Sequence, residues 1–284
     1  YTSEQGTTSN LMCGIAGFSF SEHCEIDPSL ASRVLLSSVA ERGADAAGCA
    51  YELDGQLVVE KQPGGASRFL EDVTVPHTAR QLLLHVRDFT KGRPSLMANN
   101  HPIRHGDVVG VHNGKISNDE QIFTDLGRQR FEPGMTVDSE AIFAALDDAD
   151  GDEALALERL RGALACGWFD ARRPGQVFLA RGYGRPLWTA TTTRGDGVVW
   201  ASTLEALEIA EDFLAIRLHK RPLAPGTILQ ISHGLIVDRR TFRADTRAEW
   251  LLNPVASPEE KRIAIARLDE SRDERRLEDG ARIA

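Results

Sequence analysis

The sequence predicts an α+β fold in which sheets and helices form packed layers. Two observations favour this class over a doubly wound parallel sheet. The predicted strands come in runs, and the predicted helices are clustered instead of alternating with strands one by one. The chain has 284 residues, of which 42% are hydrophobic, so it is long enough to bury one large core or two modest ones.

The first half of the chain predicts strands around one helix. Residues 11–20 are apolar and punctuated by glycine, which indicates a buried strand. Asp27-Pro28 predicts a helix start, since aspartate caps and proline fits the first turn. Asp54-Gly55 predicts a hairpin turn. The further strands expected here are 49–53, 56–61, 82–86 and 108–112.

The second half predicts helices first and then another run of strands. Helices are expected to start at Asp138-Ser139-Glu140 and at Asp152, and a third at 204–213. The expected strands are 163–169, 176–180, 186–190, 198–202, 227–231 and 234–238. Residues 246–284 predict a charged, partly helical segment that starts at Ser257-Pro258. A solvated helix is the interpretation there, with a partner-docking helix as the alternative.

Composition excludes several classes of partner. The net charge of −9 and a pI near 5.4 argue against a nucleic-acid backbone as the main partner, which would need a basic face. No apolar run approaches the ~18 residues of a membrane span. Residues 1–10 are polar and lack the apolar stretch of a secretory signal. A cytoplasmic protein without a membrane partner is therefore expected.

The four cysteines stand at irregular spacings without a C-x-x-C pair, which argues against a zinc site or redox motif. Cys49 and Cys166 lie among apolar neighbours and are expected in the core, whereas Cys24 follows a polar histidine and is expected at the surface. Cys13, in the run Met12-Cys13-Gly-Ile-Ala-Gly, has the one context that suggests reactivity. At a free N-terminus a cysteine carries nucleophile and base together, because its α-amine titrates at ~8 and its thiol at ~8.5.

Three further segments contain candidate functional residues. They begin at His85, at Asn100 and at Val137, and they read His-Val-Arg-Asp-Phe-Thr-Lys-Gly, Asn-His-Pro followed by Val-His-Asn-Gly-Lys, and Val-Asp-Ser-Glu. Together with the Cys13 run, these segments resemble the glutaminase domain of the class II glutamine amidotransferases, a family of N-terminal-nucleophile hydrolases. The resemblance covers residues 13–245. It implies a four-layer αββα sandwich of two antiparallel sheets between helix layers.

The resemblance also implies roles for individual residues. Cys13 would be the nucleophile, and the Asn113 amide with the Gly114 N–H would form an oxyanion hole. Arg87 would bind the α-carboxylate of glutamine and Asp138 its α-ammonium group. Thr90 would add a hydroxyl near the carboxylate.

Taken singly, these residues have simpler interpretations. Arg87 at a strand end suits a surface ion pair, Asp138 suits a helix cap, and Asn113-Gly114 suits a hairpin turn. His101 and His112 are interpreted as structural, because no third residue at metal spacing accompanies them; no metal and no cofactor are expected. The sequence departs from the family pattern at Asp88, Lys91 and Glu41, where the family often has an aromatic residue and two histidines. These positions surround the substrate lid, so they bear on which γ-glutamyl compound is the substrate.

The resemblance implies a hydrolase or transferase that releases ammonia from glutamine through a thioester on Cys13. Residues 1–12 would then be a propeptide, an extension or a tag, because they precede the nucleophile. Residues after 245 are too few for an ammonia-accepting synthetase, so ammonia would pass to a separate subunit or simply be released. The alternatives are a hydrolase of another γ-glutamyl compound and a catalytically silent assembly protein with an uncleaved N-terminus. An intact Met12–Cys13 bond would favour the catalytically silent protein, whereas a cleaved bond would favour the enzyme.

Overall fold

The computed structural model describes residues 13–89, 91–247 and 257–283. The strands in these ranges are β1 (Gly14–Phe20), β2 (Ala46–Leu53), β3 (Gln56–Pro63), β4 (Gln81–Arg87), β5 (Ile103–His105), β6 (Val108–Ile116), β7 (Gly162–Asp170), β8 (Gln176–Arg181), β9 (Trp188–Thr192), β10 (Gly197–Ala201), β11 (Leu218–Pro222), β12 (Thr227–Ser232) and β13 (Leu235–Thr241). The helices are α1 (Pro28–Ser38), α2 (Ala66–Asp72), α3 (Asp119–Leu126), α4 (Glu140–Asp148), α5 (Glu153–Glu158), α6 (Leu204–Phe213) and α7 (Pro258–Ile283), with short 3-10 helices at Ala40–Arg42 and Met97–Asn99.

The strands form two antiparallel sheets. The first has the order β11-β9-β10-β1-β4-β2-β3, and the second has the order β13-β12-β8-β7-β6-β5. β1 lies at the centre of the first sheet between β10 and β4, and β6 lies between β5 and β7 in the second. The N-terminal end of β1 and the C-terminal end of β4 therefore meet at one edge of the sandwich, since Gly14 is paired with Val86.

Three apolar layers hold the sheets and helices together. Side chains such as Ile15, Val111 and Trp200 fill the space between the two sheets. Helices α1, α2, α6 and α7 pack on the outer face of the first sheet, and α3, α4 and α5 cover the second. Burial of these two faces on each sheet produces the αββα sandwich that the family resemblance implies. The predicted α+β class and its layers are confirmed.

Local sequence signals explain several of the observed boundaries. The Asp27 carboxylate accepts hydrogen bonds from the first-turn N–H groups of α1, at 2.7 Å from Ser29 N and 3.1 Å from Leu30 N. Asp54 and Gly55 have φ angles of 51° and 75° between β2 and β3, as a two-residue hairpin turn requires.

Other elements differ from the sequence predictions. The structure adds α2, α3, β5 and β11, which the sequence analysis did not predict. The helix expected to start at Asp138-Ser139-Glu140 does so, with Glu140 as its first residue, whereas the 186–190 strand is shifted to Trp188–Thr192. The surface position predicted for Cys24 is wrong, because its side chain is 5% exposed and packs in the core cluster under α1. Cys49 and Cys166 are fully buried, as predicted.

The C-terminal helix packs on the sandwich over its first turns. Ala264 and Leu268 are buried in the same apolar cluster as α1 and α2. This part of the segment is therefore packed, whereas the sequence analysis expected a solvated helix. Within the described residues, no helix is both long and apolar enough to cross a membrane.

Candidate active site

Cys13 stands immediately before β1, where backbone contacts fix it on both sides. Its Sγ lies 3.4 Å from the carbonyl oxygen of Asp88, and its own carbonyl oxygen accepts a hydrogen bond from Arg42 Nε at 3.0 Å. Two residues further on, Ile15 N–H donates to Ser202 Oγ at 2.9 Å. The thiol is thereby held between the ends of β4 and the Ala40–Arg42 turn.

Burial dominates the electrostatics of this thiol. It raises the pKa of Cys13 to about 11, and a hydrogen bond with the Asp88 backbone and the charge of Arg87 lower it only in part. The raised pKa favours the protonated thiol at pH 7. A nucleophilic Cys13 therefore needs a nearby base to take its proton.

Arg87 ends β4 and is almost fully buried, at 2% exposure. Its guanidinium group donates to three neutral acceptors: Asn100 Oδ1 at 2.5 Å, Lys91 O at 2.8 Å and Gly92 O at 2.5 Å. Among the described residues no carboxylate lies within ion-pair distance of it, so the surface ion pair considered above is contradicted. Desolvation lowers the pKa of Arg87, which is the expected effect of burying an uncompensated cation.

Asp138 precedes α4, and its carboxylate does not cap that helix. Oδ2 accepts a hydrogen bond from Ile116 N at 2.6 Å, whereas Ser139, the residue at the N-cap, makes no side-chain cap. The carboxylate is 3% exposed, and burial raises the pKa of Asp138. No cation of the described residues pairs with it. Asp138 and Arg87 both act electrostatically on Cys13, so the three groups share one site.

Asn113 and Gly114 lie inside β6, paired with Ala165 and Leu164 of β7, and they do not form a hairpin turn. Both polar atoms of the Asn113 amide are buried without a hydrogen-bond partner among the described residues. Gly114 has φ 151°, and a β-carbon there would lie 2.0 Å from Ala163 O. A buried amide without a partner is costly, and it is a group that a ligand oxygen can satisfy.

Three buried histidines, His85, His101 and His112, lie in or beside β4 and β6. His85 Nε2 lies 3.1 Å from His112 O and so connects β4 to β6, and its ring stacks on that of His101 with centroids 4.0 Å apart. His112 contacts Ser139 Oγ and Ala163 O through its two ring nitrogens. Burial lowers the pKa of His85 to about 3 and that of His112 to about 4. All three rings are neutral at pH 7.

Two arginines near the thiol were given no role in the sequence analysis. Arg42 contacts the Cys13 carbonyl, and the charge of Arg185 acts on the Cys13 side chain. The signal for Arg42 was its place in the Glu41-Arg42-Gly43 motif, whereas no local pattern marks Arg185. Thr90, predicted to bind the substrate carboxylate, lies outside the described residues. Its neighbour Lys91 pairs with Asp119, with Nζ and Oδ2 2.5 Å apart.

Comparisons with known proteins agree with this geometry. A family model described as the glutamine amidotransferase domain matches residues 87–209, a range that includes Arg87, Asn113, Gly114 and Asp138. An isomerizing glutamine–fructose-6-phosphate aminotransferase of Chlamydia trachomatis is 30% identical over 187 residues, covering 62% of this chain and 30% of that protein. Its counterpart from Bacillus cereus is 26% identical over 256 residues, covering 84% of this chain and 40% of that protein. The chain therefore contains a glutamine amidotransferase domain of the class II type.

A solved structure shows the same fold. The glutamine phosphoribosylpyrophosphate amidotransferase of B. subtilis superimposes with a TM-score of 0.63 at 21% identity, covering 81% of this chain and 49% of that one. The chain described here spans 30% and 40% of the two relatives above. The similarity therefore concerns less than half of each of these proteins.

Proposed function

We propose that this amidotransferase domain hydrolyses the side-chain amide of glutamine through a thioester on Cys13. The observation that carries the proposal is a set of buried polar groups that lack an ion-pair partner or, for Asn113, any hydrogen-bond partner among the described residues. Arg87 has no carboxylate, Asp138 has no cation and Asn113 has no hydrogen-bond partner among the described residues. Glutamine supplies a carboxylate, an ammonium group and an amide oxygen, one for each of them.

Recognition and chemistry divide between these groups. Arg87 binds the α-carboxylate and Asp138 the α-ammonium group, which places the side-chain amide at Cys13. Thr90 adds its hydroxyl to the carboxylate contact. The sulfur attacks the amide carbon, and the tetrahedral oxyanion accepts hydrogen bonds from the Asn113 amide and the Gly114 N–H. The C–N bond then breaks, ammonia leaves with a proton from the base, and water hydrolyses the glutamyl thioester.

The base is the α-amine of Cys13 once the Met12–Cys13 bond is broken. An amide nitrogen at this position is not basic, and the raised pKa of Cys13 favours the protonated thiol at neutral pH. We therefore propose that residues 1–12 are removed and that residues 13–245 are the glutaminase unit. Removal of Met12 alone from a chain that starts there would give the same result.

The relatives are aminotransferases in which this domain is less than half of the protein. We propose that ammonia from this domain passes to a separate acceptor-binding subunit. A cytoplasmic location fits this scheme, since the mechanism needs a reduced thiol and all four cysteines are free.

The decisive experiment compares two forms of the chain, one with the Met12–Cys13 bond intact and one that begins at Cys13. Ammonia and glutamate are measured with glutamine as substrate. We expect equal amounts of both products from the second form and none from the first. Cys13→Ala in the second form should abolish release, whereas Cys24→Ala, a change at a buried cysteine outside the site, should preserve it. Release by the intact form, or by Cys13→Ala, would contradict the mechanism.

A further inference from the structure

The Ala40–Arg42 turn connects the C-terminal helix to the nucleophile. On one side of the turn, Arg42 Nε donates to the carbonyl oxygen of Cys13 at 3.0 Å. On the other side, Ser257 N–H donates to Glu41 O at 2.6 Å, and Lys261 Nζ lies 2.9 Å from Glu41 Oε2. Two adjacent residues therefore contact the start of α7 and the start of β1.

This connection is buried and tightly packed. The side chains of Lys261 and Glu41 are 15% and 10% exposed, and among the described residues Lys261 is the one cation within ion-pair distance of Glu41. Next in sequence, Gly43 packs so closely on Arg87 that a β-carbon there would lie 2.3 Å from the Arg87 carbonyl carbon. A shift of the turn would therefore move the Cys13 carbonyl and the Asp88 peptide, whose oxygen accepts the thiol hydrogen bond, while Asn100 and the carbonyls of residues 91 and 92 hold the Arg87 guanidinium in place.

Helix α7 is held on the sandwich by contacts outside the turn as well. Ala264 and Leu268 are buried against α1 and α2, Glu260 Oε1 accepts a hydrogen bond from Ser67 N at 2.6 Å, and Arg267 pairs with Glu71 at 2.5 Å. These contacts fix the helix on α2, away from Cys13. The contact with Glu41 is the one that reaches the nucleophile.

We propose that Lys261 is a positioning residue for Cys13, acting through Glu41 and the Arg42 hydrogen bond. The inference rests on the proposed glutaminase function and extends it to residues 257–268, which complete the catalytic unit. Removal of the Lys261 charge leaves the Glu41 carboxylate buried without a partner, so the turn rearranges to solvate it. Arg42 then no longer fixes the Cys13 carbonyl, whereas the substrate-binding groups Arg87 and Asp138 keep their own hydrogen bonds.

The test uses the full-length protein in the N-terminal form that releases ammonia from glutamine. Lys261→Met should lower kcat about tenfold, because the nucleophile is displaced, with KM changed less than about twofold. Glu41→Gln should give the same pattern from the other side of the ion pair. Lys261→Arg should restore most of the rate. Arg262→Met is the matched control, since Arg262 lies on the same helix and, within the described ranges, its ion pair is with exposed Glu259.

A second readout reports on Cys13 without requiring turnover. The rate of alkylation by iodoacetamide should rise about threefold or more in Lys261→Met and stay unchanged in Arg262→Met. Cys24, Cys49 and Cys166 are buried, so the reaction reports on Cys13. If no form of the protein releases ammonia, the glutaminase proposal fails and alkylation alone decides the positioning role. Unchanged kcat and alkylation in Lys261→Met, or an equal loss of kcat in Arg267→Met, would overturn the inference.

Discussion

Acid should destabilise this protein through three buried histidines. His85, His101 and His112 are at most 3% exposed, and burial lowers the pKa of each below its usual 6.5, to about 3 for His85 and about 4 for His112. The unfolded chain binds protons at these rings near pH 6.5, whereas the folded protein does not. Their stabilising contribution is therefore fully present above pH 6.5 and is lost as the pH falls below it.

The local geometry explains why protonation of His85 and His101 is unfavourable in the folded protein. His85 Nδ1 and both ring nitrogens of His101 have no acceptor among the described residues, so an added N–H would be buried without a partner. The two rings are stacked 4.0 Å apart, and two adjacent imidazolium ions would repel each other. The neighbouring Arg87 guanidinium adds a further positive charge, which also lowers the pKa of His85 and His101.

The size of the effect follows from the pKa differences. Between pH 7.5 and 5.5, a histidine with a pKa of 6.5 in the unfolded chain and a pKa well below this range in the folded protein removes about 1 kcal/mol from the free energy of unfolding. Three such groups remove roughly 3–4 kcal/mol, a large share of the roughly 5–15 kcal/mol that is typical of a domain. Urea unfolding at the two pH values, followed by fluorescence of the buried tryptophans, measures this difference.

One substitution isolates a single ring from the other titrating groups. His101→Phe keeps a planar ring for stacking on His85 and removes no observed hydrogen bond, so it should reduce the loss between the two pH values by about 1 kcal/mol. His23→Asn, at an exposed histidine, should leave the loss unchanged. A loss below about 1 kcal/mol in the unmodified protein would refute the reasoning, because the histidines would then accept protons without unfolding.

Four further predictions concern the site and the core. Asn113→Ala should lower kcat by about 10²–10³-fold with little change in KM, since its amide acts on the oxyanion. Arg87→Lys should raise the KM for glutamine about tenfold, because a single ammonium replaces a two-pronged contact. Gly114→Ala should abolish ammonia release in a protein that still purifies, because its β-carbon would clash with Ala163 O. Leu268→Ala should lower the free energy of unfolding by about 2–4 kcal/mol in urea titrations, since this α7 side chain is buried against the sandwich.

The elements predicted from sequence were those with strong local signals. Continuous apolar runs identified β1, β4 and β7, and the Asp54-Gly55 turn identified the β2–β3 hairpin. The edge strand β11, with the sequence Leu-His-Lys-Arg-Pro, is mostly exposed and has neither an apolar run nor a clear alternation. Helix α3 was missed although Asn118-Asp119-Glu120 is a typical helix start, and in the structure the Asn118 side chain bonds to Arg159 O and Arg161 N instead of capping the helix. Pairing with β9 forms β11, which no local preference predicts.

The site residues also show how little a single local motif predicts. Their motifs point to a glutaminase only as a set, since each residue alone has a simpler structural interpretation. Asn113-Gly114 is a typical turn sequence that the structure holds inside a strand, and Asp138 is a typical cap that bonds to another strand. Long-range pairing, which no local window contains, decides both conformations. Cys24 was misassigned for the same reason, because polar neighbours in sequence do not prevent burial.

Places where local rules fail are the places where a ligand is expected to act. Among the predicted site residues, Arg87 has no ion-paired anion, Asp138 has no ion-paired cation and Asn113 has no hydrogen-bond partner within the described part of the chain. Each of these is unfavourable by itself. A single molecule with an α-carboxylate, an α-ammonium group and a side-chain carbonyl would satisfy all three at once. Under the proposed function, the binding of glutamine recovers the stability that the fold gives up at these three residues.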